Sequence, residues 1–348
     1  MKMKADLPQF TGLRGIAALL VLFFHLRTPI GIDLTFGVAD PFSKYGYLGV
    51  DIFFVLSGFI LSHVYAEQFS QSLSSKSLRA FAVARFSRIY PLHFLTTILM
   101  LLAYGIALRV GVTPTESSGY SPTSLILGLL LVQEWFGVVA PNPGAWSISI
   151  ELLNYITFPF LIFISTRLPR YWPALAIILG TVVAALPANT NVLHGVAEFV
   201  MGCAAYAASK QYKGGVSWPL SGAFFALPFF VFYAFNISNI HNIGGFGLPA
   251  LSFTAAVYFL AMSNKYDPFA RLCTMRPLVF IGEISYSMYL LQWFVWVGWK
   301  HVIAKLPFFS SHPYGMVTLA AASLFILSVV SFYFFEKPSR SWLRRLLS

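Results

Sequence analysis

Apolar runs long enough to cross a bilayer recur along this chain, and that recurrence decides the fold class before any other feature is read. They cover roughly 11–27, 47–66, 89–110, 147–166, 172–187, 192–209, 218–236, 247–263, 281–300 and 314–336. A spanning helix needs about 17–25 apolar residues, whereas a barrel strand needs about ten in alternation, and such alternation is missing here. Composition agrees. Charged residues make up 10% of the 348, against about 25% in a soluble domain. A water-coated surface, a disordered chain and a disulfide scaffold are therefore excluded. The chain is expected to be all-α, one polytopic membrane domain over residues 1–348, with about ten transmembrane helices.

An eleventh apolar stretch, Ser124 to Gln133, covers about half the hydrocarbon thickness, and charge decides its place. Counting back from Lys337, Arg340, Arg344 and Arg345, every second loop is basic: Lys265, Arg271 and Arg276, then Lys210 and Lys213, then Arg167 and Arg170. Basic loops face the cytoplasm. From the other end, Lys2 and Lys4, then Lys76, Arg79, Arg85 and Arg88, mark the same side. The two ladders agree only if residues 111–146 begin and end outside. Ser124 to Gln133 is thus expected to be a short non-spanning or re-entrant element, and both termini to be cytoplasmic. Of the 23 Lys and Arg residues, only Arg27, Lys44, Arg109, Lys300 and Lys305 then fall outside. The net charge of +11 is spread over short loops, which argues against nucleic acid as a partner. MKMK followed by IAALLVLFF is not trailed by a small-x-small cleavage site, so it is expected to remain as the first helix. Cys203 in an apolar run and Cys273 in a basic loop suggest neither a disulfide framework nor a metal site.

Ionisable groups at membrane depth cost several kcal/mol unless paired or facing a wet cavity, so each marks a candidate site. Arg14 and His25 in LRGIAALLVLFFH return to nearly one helix face, about 16.5 Å apart along the axis. A lone His on an apolar helix is ordinarily a packing residue; here an Arg is aligned with it. In RFSRIYP, Arg85 and Arg88 precede Pro91, a residue that suits a helix's first turn. The two guanidiniums are expected beside a helix N-terminus, where a phosphate would sit. Anchoring in an anionic leaflet of membrane lipid explains the same pair. In WSISIELLNY, Trp146 marks the outer boundary, and Ser147, Glu151, Asn154 and Tyr155 share one helical face. A carboxylate there can orient an imidazole or take a proton, or pair with an arginine of another helix. Asp51 shares a face with Gly58 and Ser62, which reads as close helix packing. His194 and Glu198, one turn apart, are expected to bond each other. Ser285, Tyr289 and Gln292 form a polar stripe, and Glu336 is expected to pair locally with Lys337.

Together these motifs resemble acyltransferase family 3, the integral-membrane enzymes that O-acylate envelope and exported polysaccharides. The matching residues are Arg14 with His25, FFVLSGF at 53–59, RFSRIYP at 85–91, WSISIE at 146–151, ISYSMYL at 284–290 and FEKPSR at 335–340. The resemblance implies a helical bundle in the bacterial cytoplasmic (inner) membrane that acyl-CoA enters from the cytoplasm. Arg14 and His25 match the family's Arg-x10-His pair, with donor handling and catalysis as the implied roles. Arg85 and Arg88 match its Arg-x-x-Arg element, implied to receive the CoA phosphates. Trp146, Ser147 and Glu151 match its Trp-Ser-x-Ser-x-Glu element near the active cavity. Trp146, Ser147, Asn154, Tyr155, Ser285 and Tyr289 are expected to line the acceptor's path. Two positions depart from the pattern: Gln292 stands where many members have His, and His194 where an Arg often precedes the Glu198-Phe199 pair.

The expected reaction moves a short acyl group, acetyl by default from the family, from acyl-CoA to a hydroxyl of a polysaccharide or lipid-linked glycan. His25 serves as general base or carries the acyl group covalently, and both routes stay open from sequence. Glu151 is expected to orient or charge-balance the imidazole, with no metal involved. A transporter or flippase for an acylated or anionic solute would use the same buried polar groups. Such proteins often show internal repeats and interrupted helices at matching positions, and neither is present in the sequence.

Overall fold

The computed structural model describes residues 7–27, 37–111, 117–186, 190–211, 220–237, 245–264, 266–305 and 312–347. Lys2, Lys4, Lys213 and Lys265 of the charge ladder lie outside the described residues, as do the side chains of Lys300 and Lys305. Among the described residues the regular structure is helical, with no strand. The principal helices are α1 (Pro8–Arg27), α2 (Gly49–Gln71), α3 (Ser75–Arg109), α4 (Pro122–Leu129), α5 (Ala145–Ser165) and α6 (Trp172–Ala184). They continue with α7 (Asn191–Gln211), α8 (Leu220–Ala234), α9 (Gly247–Met262), α10 (Arg276–Lys305), α11 (Pro313–Ser331) and α12 (Lys337–Leu347).

Among the described residues seven spans are long and apolar enough to cross a membrane: α1, α2, α3, α5, α7, α10, and α11 running on through a π-helical turn into α12. The other three expected spans form the shorter helices α6, α8 and α9, of 13, 15 and 16 residues. At 1.5 Å per residue these reach only about 20–24 Å. They are apolar nonetheless. On α6, Leu175, Ile178, Leu179 and Val182 are exposed at i, i+3, i+4 and i+7, an uncovered apolar face that suits lipid. The chain is thus a polytopic helical bundle. α4 is short for local reasons: the Ser121 hydroxyl accepts from the Ser124 N–H, Pro122 starts the helix, and the backbone turns left-handed at Leu131 and again at Gly137. Its eight residues rise about 12 Å, so this element does not span.

One expectation about α3 is corrected. The helix does not begin near Pro91 but runs unbroken from Ser75, with Pro91 in its interior. Pro91 lacks the N–H that would bond the Ser87 carbonyl, yet the helix continues through it. Two residues before the proline, the Tyr286 hydroxyl donates to the Ile89 carbonyl. Arg85 and Arg88 therefore stand on the side of a long helix, not at an N-terminus.

Packing divides the chain into two units, each drawn from three stretches of sequence. The first comprises residues 1–24, 36–77 and 157–283. Glycines set its closest helix approaches. A Cβ on Gly58 of α2 would lie 2.0 Å from the Phe199 carbonyl oxygen of α7, and one on Gly202 of α7 would lie 2.1 Å from that of Val55. Gly12 of α1 likewise meets the Cys273 carbonyl, and Gly282 of α10 the Thr11 carbonyl. Both cysteines are buried and free, and burial, with Asp267 nearby, pushes the Cys273 thiol up to about 12. The second unit comprises residues 25–35, 78–156 and 284–348. Polar ties hold it: a His93 ring nitrogen bonds the Gly128 carbonyl at 2.8 Å, Gln133 Nε2 donates to Ala145 O at 2.9 Å, and Trp299 Nε1 donates to Ser323 Oγ at 2.9 Å. Glu336 accepts from the Ser287 hydroxyl at 2.7 Å. Its expected local pair with Lys337 does not form, because that ammonium stands over the rings of Phe332 and Tyr333.

Candidate active site

All the residues expected to handle donor or acceptor fall in the second unit except Arg14. α1 carries Arg14 and His25 on one continuous helix, and both side chains are half-buried. The His25 ring lies 5.2 Å from the Trp293 ring of α10, at an interplanar angle of 74°. Trp293 rests against bare backbone: a Cβ on Gly144 would come within 3.2 Å of its Cδ1 and 3.4 Å of its Nε1. Asn142 fixes that backbone. Its Oδ1 accepts from the Gly144 N–H at 3.1 Å, and its Nδ2 donates to Leu290 O at 3.0 Å. The Asn-Pro-Gly turn before α5 therefore fastens α5 to α10 and leaves room for an indole beside His25.

From there a polar row follows α5. Ser147 Oγ donates to the Tyr289 hydroxyl at 2.7 Å, both groups being buried, with Trp146 half-buried beside them. Ser147, Glu151 and Tyr155 are spaced by four, as are Tyr289 and Trp293, so each set lies along one face. Glu151 hydrogen-bonds Tyr155. The Arg85 guanidinium lies 5.8 Å from the Tyr155 ring centre and 5.9 Å from that of Phe81, and the charges of both Arg85 and Arg88 act on Tyr155. Asn154 and Ser285 are fully buried nearby in the sequence of the same helices. Between Gly144 and Tyr155 the α5 axis rises about 16.5 Å. An imidazole against an indole stands at one end of this row, and at the other the Arg85 guanidinium lies beside a phenol on which the charge of Arg88 also acts.

The first unit holds a different cluster. His194 Nε2 lies 3.0 Å from Asp51 Oδ1 and 3.1 Å from Glu198 Oε1, with all three side chains buried. The expected His194–Glu198 bond is present, and Asp51, read from sequence as part of a packing face, joins it. Its helix does pack closely through Gly58, so both readings of that face hold. One imidazole thus faces two carboxylates away from water. Their ligand atoms lie within 4.8 Å of one another, the one group among the described residues able to hold a metal ion. The same distances suit hydrogen bonds through a shared proton, which requires no metal.

Sequence reasoning missed Trp293, Asn142 and Gly144. Trp293 sits in a run rich in aromatics, where nothing separates a residue beside His25 from one facing lipid. The proline-flanked Asn-Pro-Gly just ahead of WSISIE was the available signal.

Residues 7–336 match the family model described as an acyltransferase domain. The acyltransferase MdmB of Streptomyces mycarofaciens is 32% identical over 204 residues, covering 56% of this chain and 50% of that protein. The peptidoglycan O-acetyltransferase OatA of Listeria monocytogenes is 23% identical over 376 residues, covering 96% and 56%. The O-acetyltransferase OatA of Staphylococcus aureus is 25% identical over 375 residues, covering 96% and 57%. The chain thus spans about half the length of the curated relatives it matches. No solved structure gives a match.

Proposed function

As the chain belongs to acyltransferase family 3, we propose that it is a membrane O-acyltransferase that moves a short acyl group, acetyl by default, from acyl-CoA to a hydroxyl of an envelope or exported polysaccharide or a lipid-linked glycan. The observation that carries this reading is the row along α5 and α10, which joins His25 and Trp293 at one end to Arg85 and Arg88 at the other. Coenzyme A has matching ends, a phosphate-bearing nucleotide and a thioester on an extended pantetheine arm. Its phosphates bind the guanidiniums, and the arm runs along the row toward His25. Arg14, on the helix of His25, handles the donor with it. With both termini cytoplasmic in the bacterial inner membrane, the guanidinium end lies inside and His25 lies beyond the midplane. The acceptor hydroxyl then arrives from the outer side.

His25 acts as general base. A neutral ring nitrogen takes the hydroxyl proton while that oxygen attacks the thioester carbonyl; the carbon–sulfur bond breaks, and the leaving thiolate takes up the proton. Ser147 and Tyr289, already paired with each other, offer hydroxyls to the acceptor alongside Trp146, Asn154 and Ser285. Glu151 holds Tyr155 against the guanidiniums. The charge-balancing role toward His25 remains part of this proposal.

The test incubates the purified full chain with acetyl-CoA labelled in the acetyl group and with membranes from a strain lacking the protein as acceptor source. Label passing into a glycan fraction with release of free CoA thiol is the expected result. Movement of an acylated solute with the thioester intact sinks the proposal.

A further inference from the structure

α12 lies along α3. Arg344 Nε donates to Ser87 Oγ at 3.4 Å, and Arg79 Nη2 donates to the Leu347 carbonyl at 3.2 Å. These ties set the two helices antiparallel, and Ser87 stands between Arg85 and Arg88 in the chain. Arg340, one turn before Arg344, then continues toward Arg88. The charges acting on Arg340 are, in falling order, those of Arg88, Arg344 and Arg85, opposed by Glu336. Arg340 and Arg344 are only half-exposed, so water screens them incompletely. Four guanidiniums gathered on two packed helices concentrate positive charge there, which attracts an anion.

We propose that Arg340 and Arg344 complete, with Arg85 and Arg88, a single anion seat that takes the nucleotide phosphates of the thioester donor. The proposal rests on the donor reading above. Planar guanidinium forks match phosphate oxygens two at a time, and several phosphates need more forks than Arg85 and Arg88 supply. The seat also stands at the end of the α5 row away from His25, where the nucleotide must lie if the thioester reaches the imidazole. Arg345, the next residue along α12, is exposed and donates from Nη2 to Ser341 at 3.1 Å. It supplies the control, being equally basic on the same helix but turned about 100° away from Arg344. An anionic lipid headgroup presents the same phosphate chemistry, so the experiment must tell the two sources apart.

The full chain is placed in nanodiscs of phosphatidylcholine alone, or with phosphatidylglycerol, and titrated with coenzyme A by calorimetry. Arg340→Gln and Arg344→Gln are each expected to weaken CoA binding about tenfold to a hundredfold, while Arg345→Gln changes it less than about twofold. Arg340→Lys and Arg344→Lys keep the charge and recover part of the affinity, and they serve if the Gln variants fail to accumulate. If Arg85→Gln weakens binding but no change at 340 or 344 does, this inference is overturned and the donor reading stands. If Arg85→Gln binds normally as well, both fall. An equal loss in Arg345→Gln reassigns the effect to general surface charge and overturns the shared seat. So does a wild-type chain that ignores CoA but is stabilised by phosphatidylglycerol through Arg344, which assigns the seat to a lipid headgroup.

Discussion

A half-exposed imidazole does useful chemistry only when its ring is held, because a misplaced base loses the near-attack geometry that most of its rate depends on. Trp293 is the ring that holds His25, and Gly144 is what lets it sit there. Trp293→Ala is therefore expected to lower kcat about tenfold to a hundredfold with the donor KM little changed, and Trp293→Phe to recover most of it. Steady-state kinetics on equal amounts of folded protein checks this, and a loss confined to KM would remove the positioning role. In the first unit, Asp51, His194 and Glu198 make a separate prediction about stability. His194→Ala strands two buried carboxylates and should cost about 3–5 kcal/mol. Glu198→Gln keeps the side chain's shape and a carbonyl oxygen that can accept from His194, and should cost much less. Denaturant unfolding in detergent ranks the two, and the opposite order would contradict the role of His194 as the group both carboxylates share.

At the scale of helices, glycine governs how closely the backbones approach. Gly58 and Gly202 each face a carbonyl oxygen of the partner helix at about 2 Å from where a Cβ would be, so Gly58→Ala or Gly202→Ala forces α2 and α7 apart. Overpacking of this kind costs about 1–3 kcal/mol, and melting temperature in detergent should fall for both variants; unchanged melting would mean that the helices separate freely. The FFVLSGF motif gave this away in part, because a small residue on a helix face signals close approach. The partner could not be read, since Gly58 and Phe199 are far apart in the chain and no local periodicity links them. Pro91 misled for a related reason. A proline's preference for a helix's first turn is a local rule, and α3 continues past Pro91 all the same. The three short helices were legible as apolar runs, but their ends depend on where the backbone turns.

Across the whole molecule, hydropathy fixed the helical class, and charge alternation singled out α4 as too short and wrongly placed to cross. Motif residues such as Ser147, Glu151, Arg85 and Arg88 were legible by type. Their pairings were not: Ser147 meets Tyr289 and Arg85 meets Tyr155 only through the fold. Both pairings lie in one unit with His25, and this gathering supports a donor site whose ends are an imidazole and a set of guanidiniums. Its central claim is that His25 carries the transfer. The most direct test measures acetyl content of surface glycans by mass spectrometry in cells that make the wild-type chain or His25→Ala in equal membrane amounts. Loss of glycan acetylation in the variant, with coenzyme A binding retained by the purified protein, is predicted. Wild-type acetylation by the variant would contradict the account.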